Sequence, residues 1–162
     1  MKTNIPEFLL HLPTYNGYPV PFMVFWNGVT PDFRVTDMAK WTEVVGKRLC
    51  AICGKPLGYF CWFIGGPACR EHRLFFDPPM HEACADFSAK SCPFLNGKRE
   101  EYRPLESGPL PGVQIRVVEV MSKERPKQMF LLRARTQGYR GVRNGEDHLV
   151  QVVQPWLEEK SF

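Results

Sequence analysis

Among the six cysteines and four histidines of this 162-residue chain, four residues fall at short, regular spacing. Cys50 and Cys53 form a C-x2-C pair, and His81 and Cys84 form an H-x2-C pair after 27 intervening residues. Thiolate sulfur and imidazole nitrogen are the donors that zinc prefers, and two short-spaced pairs can close a tetrahedron around it. Gly54 follows the first pair, where a knuckle must turn its amides toward the sulfurs. Pro78 and Pro79 precede the second pair, where a helix can begin, so His81 and Cys84 share the face of a first helical turn. With every position filled by protein, no vacancy is left for a reacting water. The chemistry expected is one structural Zn2+.

Cys61, Cys69, His72 and Cys92 could supply a second metal set. Against it, Cys61 stands among Tyr59, Phe60, Trp62 and Phe63, where cysteine usually serves as a small buried hydrophobe. Cys69 near His72 gives a nucleophile without an oriented base. His72 with Asp77 could act in an HNH-like nuclease, but the neighbouring His-Asn elements are missing and His81 is committed to metal. There is no Walker-type loop, G-x-G-x-x-G, G-x-S-x-G or H-E-x-x-H. Enzyme chemistry is therefore the weaker reading.

The elements around the ligands can be read from apolar periodicity. Glu7–Leu12 predicts a short helix or turn, followed by a loop through Asn16-Gly17. PFMVFW, Asn27-Gly28 and DFRV predict a hairpin over about 21–35. Asp37 offers an N-cap, and Met38, Trp41, Val44 and Val45 recur at helical spacing, which predicts a helix to about Lys47. GYFCWFI and HRLFFD predict two strands between the ligand pairs, and MHEACADFSAK a helix. Knuckle, hairpin and ligand-bearing helix together make a treble-clef zinc module. YFCWF has apolar residues on both strand faces, so it is either buried on both sides or docks a protein through Trp62 and Phe63.

After Cys92 the composition changes. Residues 96–112 are rich in proline and glycine and read as a linker, and VQIRVVEV, QMFLLRAR and HLVQVV read as strands of a C-terminal sheet. A turn of helix is expected after Pro155. The domain expectation is a zinc-binding module at 1–95, the linker at 96–112, and a basic β-rich segment at 113–162. The expected class is α+β, with a β-hairpin and helices around the zinc module and a small C-terminal antiparallel sheet.

The hydrophobic fraction is 44%, enough for a real core, and the net charge is +4. The only early apolar run is Phe8-Leu9-Leu10, too short for a signal peptide or a membrane span. A cytoplasmic location is expected, with cysteines used for metal or burial instead of disulfides. The basic excess lies in one place. Lys123, Arg125, Lys127, Arg133, Arg135, Arg140 and Arg143 face only Glu124 across that stretch, and Tyr139 stands among them. Arginines around an aromatic can hold phosphates and stack a base; alternatively they are a solvated sheet face.

The strings CAICGKPLG, FIGGP, DPPMHEACADFS and SCPFL resemble an uncharacterised family of small zinc-binding proteins from phages, prophages and bacteria. That family carries C-x2-C-G-x-P-L-G, then P-P-x-H-x-x-C-A, then C-P-F-L. The likeness spans about Gly17 to Leu95 and implies Cys50, Cys53, His81 and Cys84 as ligands in a bacterial or phage setting. The expected function is a non-enzymatic zinc-stabilised binding protein that contacts nucleic acid. Its alternatives are an adaptor or inhibitor of a host protein and, third, an HNH-like nuclease.

Overall fold

The computed structural model describes residues 4–98, 115–117, 125–145 and 147–162. Within them the fold is α+β, with three helices and four small antiparallel sheets. The chain opens with a 3-10 turn at Glu7–Leu9 and a two-stranded ribbon, β1 (Thr14–Tyr15) and β2 (Tyr18–Pro19). Asn16 and Gly17 both take positive φ, the pairing a tight two-residue hairpin turn demands, so the expected loop is a hairpin.

The next hairpin is the expected one. β3 (Val24–Asn27) pairs with β4 (Thr30–Asp37), with Gly28 at φ 64° in the turn and a bulge between Val24 and Phe25. Asp37 then caps α1 (Met38–Lys47), its carboxylate accepting from the Ala39 and Lys40 amides at 3.0 and 3.2 Å. Met38, Trp41 and Val44 are the buried stripe of α1, and Arg48 in the left-handed conformation ends it just before Cys50.

Between the ligand pairs the chain departs from a simple hairpin. β5 (Phe60–Gly65) is followed by α2 (Pro67–His72), begun by Pro67 in its first turn, and only then by the two-residue β6 (Leu74–Phe75). β5 and β6 do not pair with each other. β5 takes β8 (Phe130–Arg135), which in turn takes β11 (Glu158–Ser161), while β6 takes β10 (Asp147–Val152) beside β9 (Tyr139–Asn144). Gly65 and Gly66 explain part of the break: a Cβ on Gly65 would lie 2.6 Å from the Cys69 Cβ, and one on Gly66 2.7 Å from Pro126.

α3 (Glu82–Ser91) starts where the double proline predicts it. β7 (Ile115–Val117) pairs with β4. Tyr139–Asn144 is a strand, and the helical turn expected after Pro155 is the strand β11. Most of the 96–112 linker lies outside the described residues.

Alternation along β5 and β8 divides the core in two. Cys61, Phe63, Leu132 and Ala134 face one cluster with Trp41, Val44, Phe75, Tyr139 and Val150. Trp62 and Leu131 face the other, with Leu9, Leu12, Met80, Ala85, Cys50, Cys53 and Cys84. The sheet is thus buried on both faces, and Trp62 and Phe63 are core residues that offer no docking face. No helix among the described residues is long and apolar enough to cross a membrane.

Candidate metal centre

Cys50 and Cys53 sit on a knuckle stapled on all sides by backbone. The Cys50 amide donates to Lys55 O at 2.8 Å and the Gly54 amide to Cys50 O at 2.9 Å, which closes the turn. Ala51 N–H reaches Pro79 O at 3.0 Å, and Ile52 O accepts from Phe22 N–H at 2.8 Å, so the knuckle is tied to the second ligand pair and to the N-terminal hairpin. His11 Nε2 lies 2.9 Å from Cys53 O. Gly54 has φ 72°, and a Cβ there would stand 2.8 Å from the Phe22 ring, so both conformation and space require glycine.

The second pair arrives on α3. His81 is its N-cap and Cys84 lies in the first turn, with the Ala85 amide donating to His81 O at 2.9 Å. Met80 exchanges both backbone hydrogen bonds with Trp62 at 2.9 Å, which fixes the approach of this helix to β5.

These four side chains place one ligand atom each within 4.8 Å of all the others, and the three cysteines are buried. The edge of a tetrahedron with metal–sulfur bonds of the zinc type is roughly 3.8 Å, so the group needs only a small contraction to close on an ion. His81 Nδ1 is 3.3 Å from Cys53 Sγ, while Nε2 lies 2.9 Å from Pro56 O. A carbonyl can only accept, so Nε2 carries the proton and Nδ1 presents its lone pair to the sulfurs. The His81 amide also donates to Cys50 Sγ at 3.4 Å.

The electrostatics favour a cation. Cys50 is held down to about 3 by the Cys53 and Cys84 thiols that donate to it, with amides of Cys53 and His81 adding to the effect against the cost of burial. Cys84 is driven far upward, because its proton is held by Cys50 and Cys53 and its own charge would be buried beside theirs. Three converging sulfurs cannot all ionise without a positive partner. Three sulfurs and one nitrogen form a group able to hold a metal ion, of the donor type that soft and borderline metals take.

The other proposed ligands stay apart. Cys61 is wholly buried in the core, its thiol pushed up to about 12 by burial. Cys69 is half-buried on α2, its thiol raised by burial as well. His72 is at the exposed end of α2, and Cys92 is the C-cap of α3. They form no metal-binding group with one another. His72 lines a shallow polar depression with Glu71, Arg73, Arg140 and Gln151, and Asp77 is not part of it.

The basic segment is divided in role. Lys123 lies outside the described residues, and Lys127 is exposed. Arg125 spends its guanidinium on the carbonyls of Phe94, Leu95 and Pro126 at 2.7, 2.7 and 3.0 Å. Tyr139 is 1% exposed, with the Arg48 guanidinium 4.1 Å above its ring, so it belongs to the core and cannot stack a base. Arg140 reaches Gln151 at 3.0 Å and Arg143 reaches His148 at 3.1 Å, both exposed on β9. Arg133 lies 3.6 Å from Glu158 and 3.9 Å from the Phe60 ring centre; Arg135 lies 5.8 Å from that of Tyr59. The exposed rings of Tyr59 and Phe60 were missed as a surface, because alternation alone counts Tyr59 with the buried Cys61 and Phe63, and Phe60 with the buried Trp62. Compared with family models, curated proteins and solved structures, the chain matches none.

Proposed function

We propose that the chain is a non-enzymatic binding protein, stabilised by one zinc ion and acting in a bacterial cytoplasm in a phage or prophage setting, whose ligand is nucleic acid. The observation that carries it is the closed donor set: Cys50, Cys53, His81 and Cys84 fill four positions from two rigid elements and leave none for substrate. A metal held this way fixes the knuckle against α3 and does no Lewis-acid chemistry. Support for nucleic acid comes from the exposed cations Arg135 on β8 and Arg140 and Arg143 on β9, together with the half-buried Arg133.

Elemental analysis of the purified protein tests the first half. About one zinc per chain is expected, and Cys84→Ser is expected to lose it together with several kcal/mol of stability in a urea titration. A metal-free protein that unfolds at the same urea concentration as the loaded one overturns this reading. For the second half, the logarithm of the affinity for oligonucleotides should fall linearly with the logarithm of salt concentration, and the fall should be shallower after Arg140→Gln with Arg143→Gln. No binding at low salt overturns it.

A further inference from the structure

We infer that the recognition surface is the Tyr59–Phe60–Arg133–Arg135 platform beside the metal centre, and that its ligand is single-stranded nucleic acid. This rests on the nucleic-acid reading above and adds the surface and the strand form. Tyr59 is 66% exposed and Phe60 39%, two rings at 90° to each other with centroids 4.8 Å apart. Large rings left in water at the start of an otherwise buried strand contribute little to the core.

Each ring has an arginine of β8 above it. The Phe60 backbone is in register with Arg135 and that of Trp62 with Arg133, and the guanidiniums of Arg133 and Arg135 lie 3.9 and 5.8 Å from the ring centres of Phe60 and Tyr59. A guanidinium on a ring is held in place by one face and keeps its edge donors for phosphate. Arg133 shares its charge with Glu158 at 3.6 Å, but Arg135 has no acidic partner among the described residues.

The platform is also rigid. Thr136 N–H donates to Tyr59 O at 2.9 Å, and Thr136 Oγ1 donates to Gly58 O at 2.6 Å, so the backbone carrying Tyr59 is fixed to the end of β8. Pro56, three residues earlier, accepts from His81. Preset rings and cations lower the ordering cost of binding a flexible strand. The preference for single strands follows from geometry. Base faces are hidden in a duplex, and only an unpaired base can lie on Tyr59. Arg140 and Arg143, on another sheet and bonded to Gln151 and His148, offer charge without an exposed ring and so cannot make this distinction.

The test is a fluorescence-anisotropy titration of the full zinc-loaded chain with a labelled single-stranded oligonucleotide and with its duplex. The single strand is expected to bind more tightly. Tyr59→Ala should weaken it roughly 10-fold with zinc content unchanged, Tyr59→Phe should retain it, and Arg135→Gln should reduce the salt slope by about one. If Tyr59→Ala binds like the parent while Arg140→Gln with Arg143→Gln weakens both strand forms, the platform inference is overturned and the nucleic-acid reading stands. If neither strand form binds, both are overturned.

Discussion

A thiol is informative through what surrounds it, and this chain places its thiols in opposite surroundings. Cys50 meets donors that hold its thiol down, whereas burial pushes the Cys61 thiol up despite the Thr136 side chain and the charge of Arg48. The second case has a pH consequence. Cys61 moves from its ordinary 9.0 to about 12, so above pH 9 the unfolded chain ionises there while the folded chain does not. Stability is full below pH 9 and is lost as pH rises toward 12, by up to about 4 kcal/mol. Cys69 and Tyr139, also pushed up by burial, act in the same direction. Urea midpoints at pH 8 and pH 11 should differ clearly for the parent and less for Cys61→Ala; equal differences would remove Cys61 as the cause. The convergence of Cys50, Cys53 and Cys84 was legible in the sequence because their spacing is local and metal geometry is strict. Tyr139 was misread because nothing local reveals that Trp41, Phe63 and Arg48 close around it.

The elements followed the same division. The hairpin around Gly28, α1 with its Asp37 cap and α3 after the double proline carry their signals within a few residues, and all three formed. α2 was hidden, because six residues beginning Pro-Ala-Cys show no apolar period, and β11 was hidden because Glu158-Glu159-Lys160 is an edge strand coated with charge. Those charges are used: Arg70 pairs with Glu159 at 2.8 Å and Lys160 with Glu82 at 3.2 Å, tying the edge to α2 and α3. Arg125 works between elements too. It holds the turn after α3 to the approach of β8 through the Phe94 and Leu95 carbonyls while also bonding Pro126 O, which lysine cannot match. Arg125→Ala should therefore cost about 1 kcal/mol in a urea titration, by leaving half-buried acceptors unsatisfied. A neutral result would mean that water replaces the guanidinium there.

At the scale of the whole molecule, the C-terminal strands complete the sheets begun between the ligand pairs, with β8 beside β5 and β10 beside β6. Register between segments so far apart is set by complementary faces and not by any local motif, which is why the sequence suggested strands but not their partners. Release of the bound metal, followed with a coloured chelator, and tryptophan fluorescence should consequently report one urea midpoint, since Trp62 packs with both the candidate ligand cysteines and Leu131 of β8. Two separated transitions would mean that the metal module and the C-terminal strands unfold independently. The pairing of β5 with β8 also imposes an order in time. A chain growing from its N-terminus has all four ligands before β8 exists, so the ion can lock the knuckle to α3 while one edge of β5 still waits in water. During that interval a metal bound there, and not the sheet, would hold Trp62 against α3, and a cell short of that metal would leave this protein vulnerable while it is still being made.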